Sequence, residues 1–116
     1  MPQITVDHSA DLDGRLDRPG LADAVHRACV DTVAARIPAC KTRFRRAEET
    51  IVGDGAEAAA LVHVEIALLA GRTEEAKTAL VDAVLALLPA HIKEPEGAHL
   101  SVEVRDLQPA YRSARG

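Results

Sequence analysis

Residues 58–71 read AAALVHVEIALLAG, and two local structures compete for them. As a strand, the stretch puts Ala60, Val62, Val64, Ile66 and Leu68 on one wholly apolar face. Leu61, His63, Glu65, Ala67 and Leu69 then form the opposite face, which is mixed in polarity. The alanines suit a helix, but the β-branched Val62, Val64 and Ile66 favour the strand. Such a strand buries its apolar face under helices and gives the mixed face a specialised environment.

The flanking segments follow from that choice. Gly71 and Arg72 turn the chain, and Thr73 is placed to cap a helix whose first residues, Glu74 and Glu75, suit the positive end of the helix dipole. Ala76, Leu80, Val84, Leu87, Leu88 and His91 carry that helix to about residue 93, where EPEG breaks it. Leu100, Val102 and Val104 alternate with Ser101, Glu103 and Arg105 as a last strand, and a polar tail runs over 108–116. Upstream, the segment KTRFRRAEETIVG (41–53) reads as another strand closing on the turn signal GDG. Before it, Asp17 and Pro19 start a helix in which Leu21, Val25, Cys29 and Val33 share one face, widened by Ala22, Val30 and Ile37, up to Pro38. Residues 3–8 form the first strand, and 9–18 a polar connection.

The order is strand, helix, strand, strand, helix, strand, in two β–α–β halves. The economical architecture is α+β: one domain over 1–116, with a four-stranded, mostly antiparallel or mixed sheet and both helices on one face. The other face still needs cover, which a trimer or similar oligomer would supply.

Composition removes several function classes. Aromatic residues are limited to Phe44 and Tyr111, so there is no set of stacking side chains for single-stranded nucleic acid. A formal charge of −4 also opposes a polyanionic partner. No apolar run reaches membrane-spanning length, because His63, Glu65 and Asp82 interrupt the candidates. Cys29 and Cys40 make neither a disulfide framework nor a zinc quartet, and Cys29 falls in the helical pattern as a reduced, buried thiol. A cytoplasmic protein without a signal peptide is expected.

Three constellations could carry chemistry. Asp7, His8 and Ser9 suggest a hydrolytic triad, but adjacent strand residues point to opposite faces, which separates His8 from the others. The five histidines (His8, His26, His63, His91 and His99) show no metal-ligand spacing. The third is cationic. Lys41, Arg43 and Arg45 alternate and share a strand face, while Arg72 stands at a strand-to-helix turn suited to a carboxylate or phosphate. An aggregation-blocking edge strand accounts for Lys and Arg there equally well.

The first strand adds a further element. It begins at once behind Pro2, a residue after which the initiator methionine is commonly removed. A free prolyl nitrogen near cations and partly desolvated would have a lowered pKa, and could act as a general base. The same cations would hold a dicarboxylate and stabilise charge developing beside a carbonyl.

The opening MP, KTRF at 41–44 and LVHVEIALLAGRT at 61–73 resemble the 5-carboxymethyl-2-hydroxymuconate isomerase family of the tautomerase superfamily, over about residues 2–107. The resemblance implies a homotrimer with sites near subunit interfaces and no cofactor or metal. It implies isomerisation of an unsaturated hydroxy- or oxo-dicarboxylic acid, enol to ketone, in aromatic-compound breakdown. By position it makes Pro2 the base, Arg43 and Arg72 carboxylate partners, and His63 the counterpart of a family histidine. Lys41 stands where the family usually has arginine and cannot form the bidentate fork. Gln3 replaces a histidine often found after the proline, and Arg45 with Arg46 occupy a stretch that tends to be aromatic. Two alternatives stay open: hydration, dehalogenation or decarboxylation in the same pocket, and a non-catalytic trimeric protein that binds small acids.

Overall fold

The structure is a computed structural model that describes residues 2–116; Met1, whose removal the sequence reading raises, lies outside the described residues. The chain forms β1 (Gln3–His8), α1 (Arg18–Val33), β2 (Lys41–Arg46), β3 (Leu61–Leu68), α2 (Glu74–Leu87) and β4 (His99–Asp106). Short 3₁₀ turns occupy Ala10–Leu12, Ile37–Ala39 and Leu88–His91.

The strands make one mixed sheet in the order β2-β1-β3-β4. β1 runs parallel to β2 and β3 parallel to β4, while the central β1–β3 pair is antiparallel. Gln3 pairs with Lys41 and Leu61 with His99, so each parallel pair is offset by 38 residues (41 − 3 and 99 − 61). Each helix is therefore the crossover of one β–α–β unit.

One face of the sheet carries Ile4, Val6, Val62, Val64, Ile66 and Leu68, all fully buried. They form a single core with Leu21, Val25, Cys29 and Val33 of α1 and Leu80 and Val84 of α2. The alternation read at 58–71 holds: the apolar face is the core face, and Leu61, His63 and Glu65 stay partly exposed. With almost no aromatic residues the core is aliphatic, and burying each Leu, Ile or Val contributes about 1.5–3 kcal/mol.

The helix boundaries have identifiable causes. Asp17 Oδ1 accepts the Gly20 N–H at 3.1 Å, and Thr73 Oγ1 accepts the Ala76 N–H at 3.1 Å, so both expected caps form. α1 stops five residues before Pro38, because Ala34 turns left-handed at φ 55° and hands its N–H to Cys29 O. α2 stops at Leu87 and tightens into a 3₁₀ turn around Pro89. β2 also ends early, at Arg46, and the chain from 47 to 60 is irregular. β2 lies at the sheet edge, with β1 as its one strand neighbour among the described residues.

Candidate active site

The topology gathers one end of the sheet from distant parts of the sequence. The N-terminal ends of β1 and β2 lie beside the C-terminal ends of β3 and β4. Pro2, Lys41 and Arg72 all belong to this end. Pro2 is buried, and its carbonyl accepts the Lys41 N–H at 3.2 Å, which ties the start of β1 to that of β2.

Lys41, Arg43 and Arg45 share the mixed face of the sheet with their register partners Gln3, Thr5 and Asp7. Gln3 joins two elements there. Its Oε1 accepts from Arg43 Nη2 at 2.7 Å, and its Nε2 donates to the Tyr111 hydroxyl at 3.1 Å. The residue that departs from the family pattern thus aims a cation and anchors the C-terminal segment. Lys41 Nζ donates to Ala39 O at 3.3 Å.

Arg72 faces carbonyls. Nη1 donates to Leu69 O at 3.1 Å, and Nε and Nη2 both reach Val33 O at 3.4 Å. Val33 is the last residue of α1, so the guanidinium sits on the negative end of that helix.

His63 is set apart from Pro2 within the chain. It lies level with Asp7 on β1, whereas Gln3 is level with Ala67, which puts Pro2 level with Leu68. Five residues of strand separate the two levels, about 17 Å. The His63 ring nitrogen Nδ1 lies 2.6 Å from Ser101 Oγ on β4.

Other reactive-looking groups have structural partners. Ser9 Oγ donates to Asp11 Oδ1 at 2.6 Å and accepts the Leu61 N–H at 2.9 Å, while His8 is buried edge-on against Phe44. Asp7, His8 and Ser9 therefore form no triad. Burial pushes the Cys29 thiol up to about 12, and the neighbouring Cys40 adds to the effect. Burial likewise raises Cys40, so both thiols are poor nucleophiles at neutral pH. His26 Nε2 lies 2.7 Å from Thr42 Oγ1, joining α1 to β2; burial lowers its pKa, against a smaller opposing effect of Asp23.

A cavity of about 690 Å³ opens beside this end of the sheet, lined by Arg36, Pro38, Ala39, Lys41, Ser113 and Arg115 among others. Its size suits a small organic ligand. Tyr111, Arg36 and Arg115 escaped the sequence reading. Tyr111 gave the one available signal, a lone aromatic in a polar tail.

Two parallel β–α–β halves joined antiparallel, with helices on one face and a proline at the head of β1, define the tautomerase class of fold. A signature for 5-carboxymethyl-2-hydroxymuconate isomerase matches residues 2–115, and the chain belongs to that family of isomerases. No curated protein sequence matches the chain. Among solved structures, a 5-carboxymethyl-2-hydroxymuconate isomerase from Deinococcus radiodurans R1 is similar with TM-score 0.81 and 24% identity, over 98% of this chain and 88% of that one. N1, a member of the cis-3-chloroacrylic acid dehalogenase family, is similar with TM-score 0.78 and 22% identity, over 97% and 80%. A fused 4-OT described as a wild type symmetric trimer is similar with TM-score 0.76 and 22% identity, over 96% and 89%. Among the described residues, no helix is long and apolar enough to cross a membrane.

Proposed function

We propose that the protein is a cofactor-independent tautomerase of the cytoplasm that converts a 2-hydroxymuconate-type enol dicarboxylate to its keto isomer, with Pro2 as the base. The observation that carries this reading is the setting of Pro2. It is buried at the head of β1 and bonded through its carbonyl to the residue that opens the cationic strand. With Met1 removed, its nitrogen is a secondary amine held in place by the sheet. The amine takes the proton of the enol hydroxyl as the carbonyl forms, and returns a proton to carbon at the far end of the conjugated system. Arg43 and Lys41 hold the adjoining carboxylate and offset the negative charge on the oxygen. Arg72 steadies the same end of the sheet within reach of a carboxylate. His63 acts on the mixed face with Ser101, away from Pro2 of its own protomer.

The mixed face also supports assembly. Arg105 Nη2 meets Glu65 Oε1 at 3.0 Å there, and this face has no helix over it within the protomer. Together with the likeness to a trimeric fused 4-OT, this favours a homotrimer.

The test is ultraviolet-monitored ketonisation of 2-hydroxymuconate by untagged protein whose mass shows Met1 removed. Pro2→Ala should lower kcat/KM about 100-fold or more, the usual scale of a positioned base. Full activity in that variant overturns the reading. A wild-type protein that instead hydrates, dehalogenates or decarboxylates an unsaturated acid, identified by NMR of the product, would reassign the chemistry while keeping the nitrogen. Carboxylate binding with no turnover of any such acid would leave a binding protein.

A further inference from the structure

The C-terminal segment crosses the whole active end of the sheet. Leu107 N–H donates to Leu68 O at 2.6 Å, extending the β4–β3 pairing past the end of β4. Tyr111 then meets Gln3 on β1. Ser113 and Arg115 finish beside Lys41 of β2 and Arg36 of the loop behind α1, where they line the cavity of about 690 Å³. The segment thus passes β3, β1 and β2 in turn and helps line a chamber that includes Lys41, whose N–H bonds the Pro2 carbonyl.

That chamber is lined by cations. Arg36, Lys41 and Arg115 line it, and no carboxylate does among the described residues. Neither Arg36 nor Arg115 takes part in an ion pair among the described residues. The cavity at the opposite end of the sheet, about 300 Å³, differs on this point: its Arg46 is held by both Asp13 oxygens at 2.8 and 3.0 Å. In a chain of net charge −4, two unpaired guanidinium groups facing one space beside a third cation is an arrangement that an anion would stabilise. Two planar forks lining one cavity suit a planar carboxylate better than a point charge would.

We propose that Arg36 and Arg115, with the Ser113 hydroxyl, bind the second carboxylate of the substrate, the one remote from Pro2, so that the C-terminal segment selects dicarboxylic over monocarboxylic acids. This rests on the reading of Pro2 as the reacting end. Arg36 and Arg115 would act as specificity residues, not as catalytic ones, since neither is a partner of Pro2 among the described contacts. The Tyr111–Gln3–Arg43 chain couples the two halves of the recognition, because one hydrogen-bond path seats the segment and aims Arg43.

The experiment has two arms on the full-length protein. In the first, calorimetry measures adipate, an unreactive dicarboxylate, and hexanoate, its monocarboxylate counterpart. Arg36→Ala and Arg115→Ala should each weaken adipate about tenfold and leave hexanoate within twofold. In the second, the same variants should raise KM for 2-hydroxymuconate about tenfold at nearly constant kcat, with phenylenolpyruvate, a monocarboxylate enol, unaffected. Both arginines are exposed, and thermal melts of the variants should match the parent. Unchanged adipate affinity in both variants overturns the proposal, and so does equal weakening of adipate and hexanoate. If the parent turns over neither enol, the Pro2 reading fails while the adipate arm still decides this one.

Discussion

Arg72 offers a test of what one side chain contributes to the fold, apart from the part proposed for it in substrate binding. Its guanidinium reaches Val33 O twice at 3.4 Å and Leu69 O at 3.1 Å, spanning the end of α1 and the end of β3. The Leu69 bond contributes about 1 kcal/mol net, a typical value for an intramolecular hydrogen bond. A cation at a helix C-terminus adds about 0.5 kcal/mol, and the two long bonds to Val33 about as much again. Arg72→Ala should therefore cost about 2 kcal/mol, equivalent to a fall of about 8 °C in Tm for a domain of this size. Arg72→Lys keeps the charge at the helix end but loses the fork, and should recover about half of that. Thermal melts by circular dichroism at matched protein concentration read the loss directly. Kinetics well below the lowered Tm then test the proposed substrate contact separately. A Tm unchanged in Arg72→Ala would refute the reasoning, since the carbonyl contacts would then contribute nothing.

Two other expectations concern stability. Ala34 holds a left-handed conformation, φ 55° and ψ 32°, on an exposed helix cap, so Ala34→Gly should gain about 0.5–1 kcal/mol and raise Tm by about 2–4 °C; a lower Tm would contradict the cap assignment. The His26 pKa is depressed by burial, so below its ordinary value of 6.5 the unfolded chain binds a proton that the folded chain resists, and stability falls as pH drops from 7 toward 5. His26→Gln removes that titration and should flatten the acid limb of urea midpoints over this range, whereas an unaltered slope would show that His26 is not its source.

What could be read from the sequence follows from which interactions are local. Strict alternation at 60–68 identifies β3 and assigns each residue to its face, since the pattern belongs to the strand itself. Asp17 and Thr73 announce helix starts because a cap acts within three residues. Strand direction was not legible, because alternation is the same whether the neighbour runs parallel or antiparallel; the order β2-β1-β3-β4 is a product of the crossovers. The strand pattern of 41–53 overshot for a related reason. Ala47 still donates its N–H to His8 O at 2.9 Å, but the chain from 48 to 60 leaves the sheet, and Ile51 is 69% exposed despite its propensity. Among the candidate residues, Lys41 and Arg43 could be assigned to one face because they lie on a strand of known phase, and Pro2 could be placed directly ahead of β1. His63 lies on one as well, but its distance from Pro2 depends on the antiparallel register of β1 with β3. Arg36 and Arg115 lie in segments without periodicity, and only the path of the tail past Leu68 and Gln3 brings them together.

The equal offsets of the two parallel strand pairs make the sheet nearly two-fold symmetric, with residue i of the first half matching residue i + 58 of the second (61 − 3 and 99 − 41). Under that rotation Pro2 corresponds to Ala60, Lys41 to His99, Arg43 to Ser101 and Arg45 to Glu103. Ala60 is buried much as Pro2 is, yet its nitrogen lies inside the chain, where amide resonance leaves it no basicity. The matched backbones of the two halves therefore differ in what processing can reach: removal of Met1 would free the nitrogen of Pro2, and nothing comparable can free that of Ala60. The matched strands also differ in charge, with Arg45 on one and Glu103 on the other.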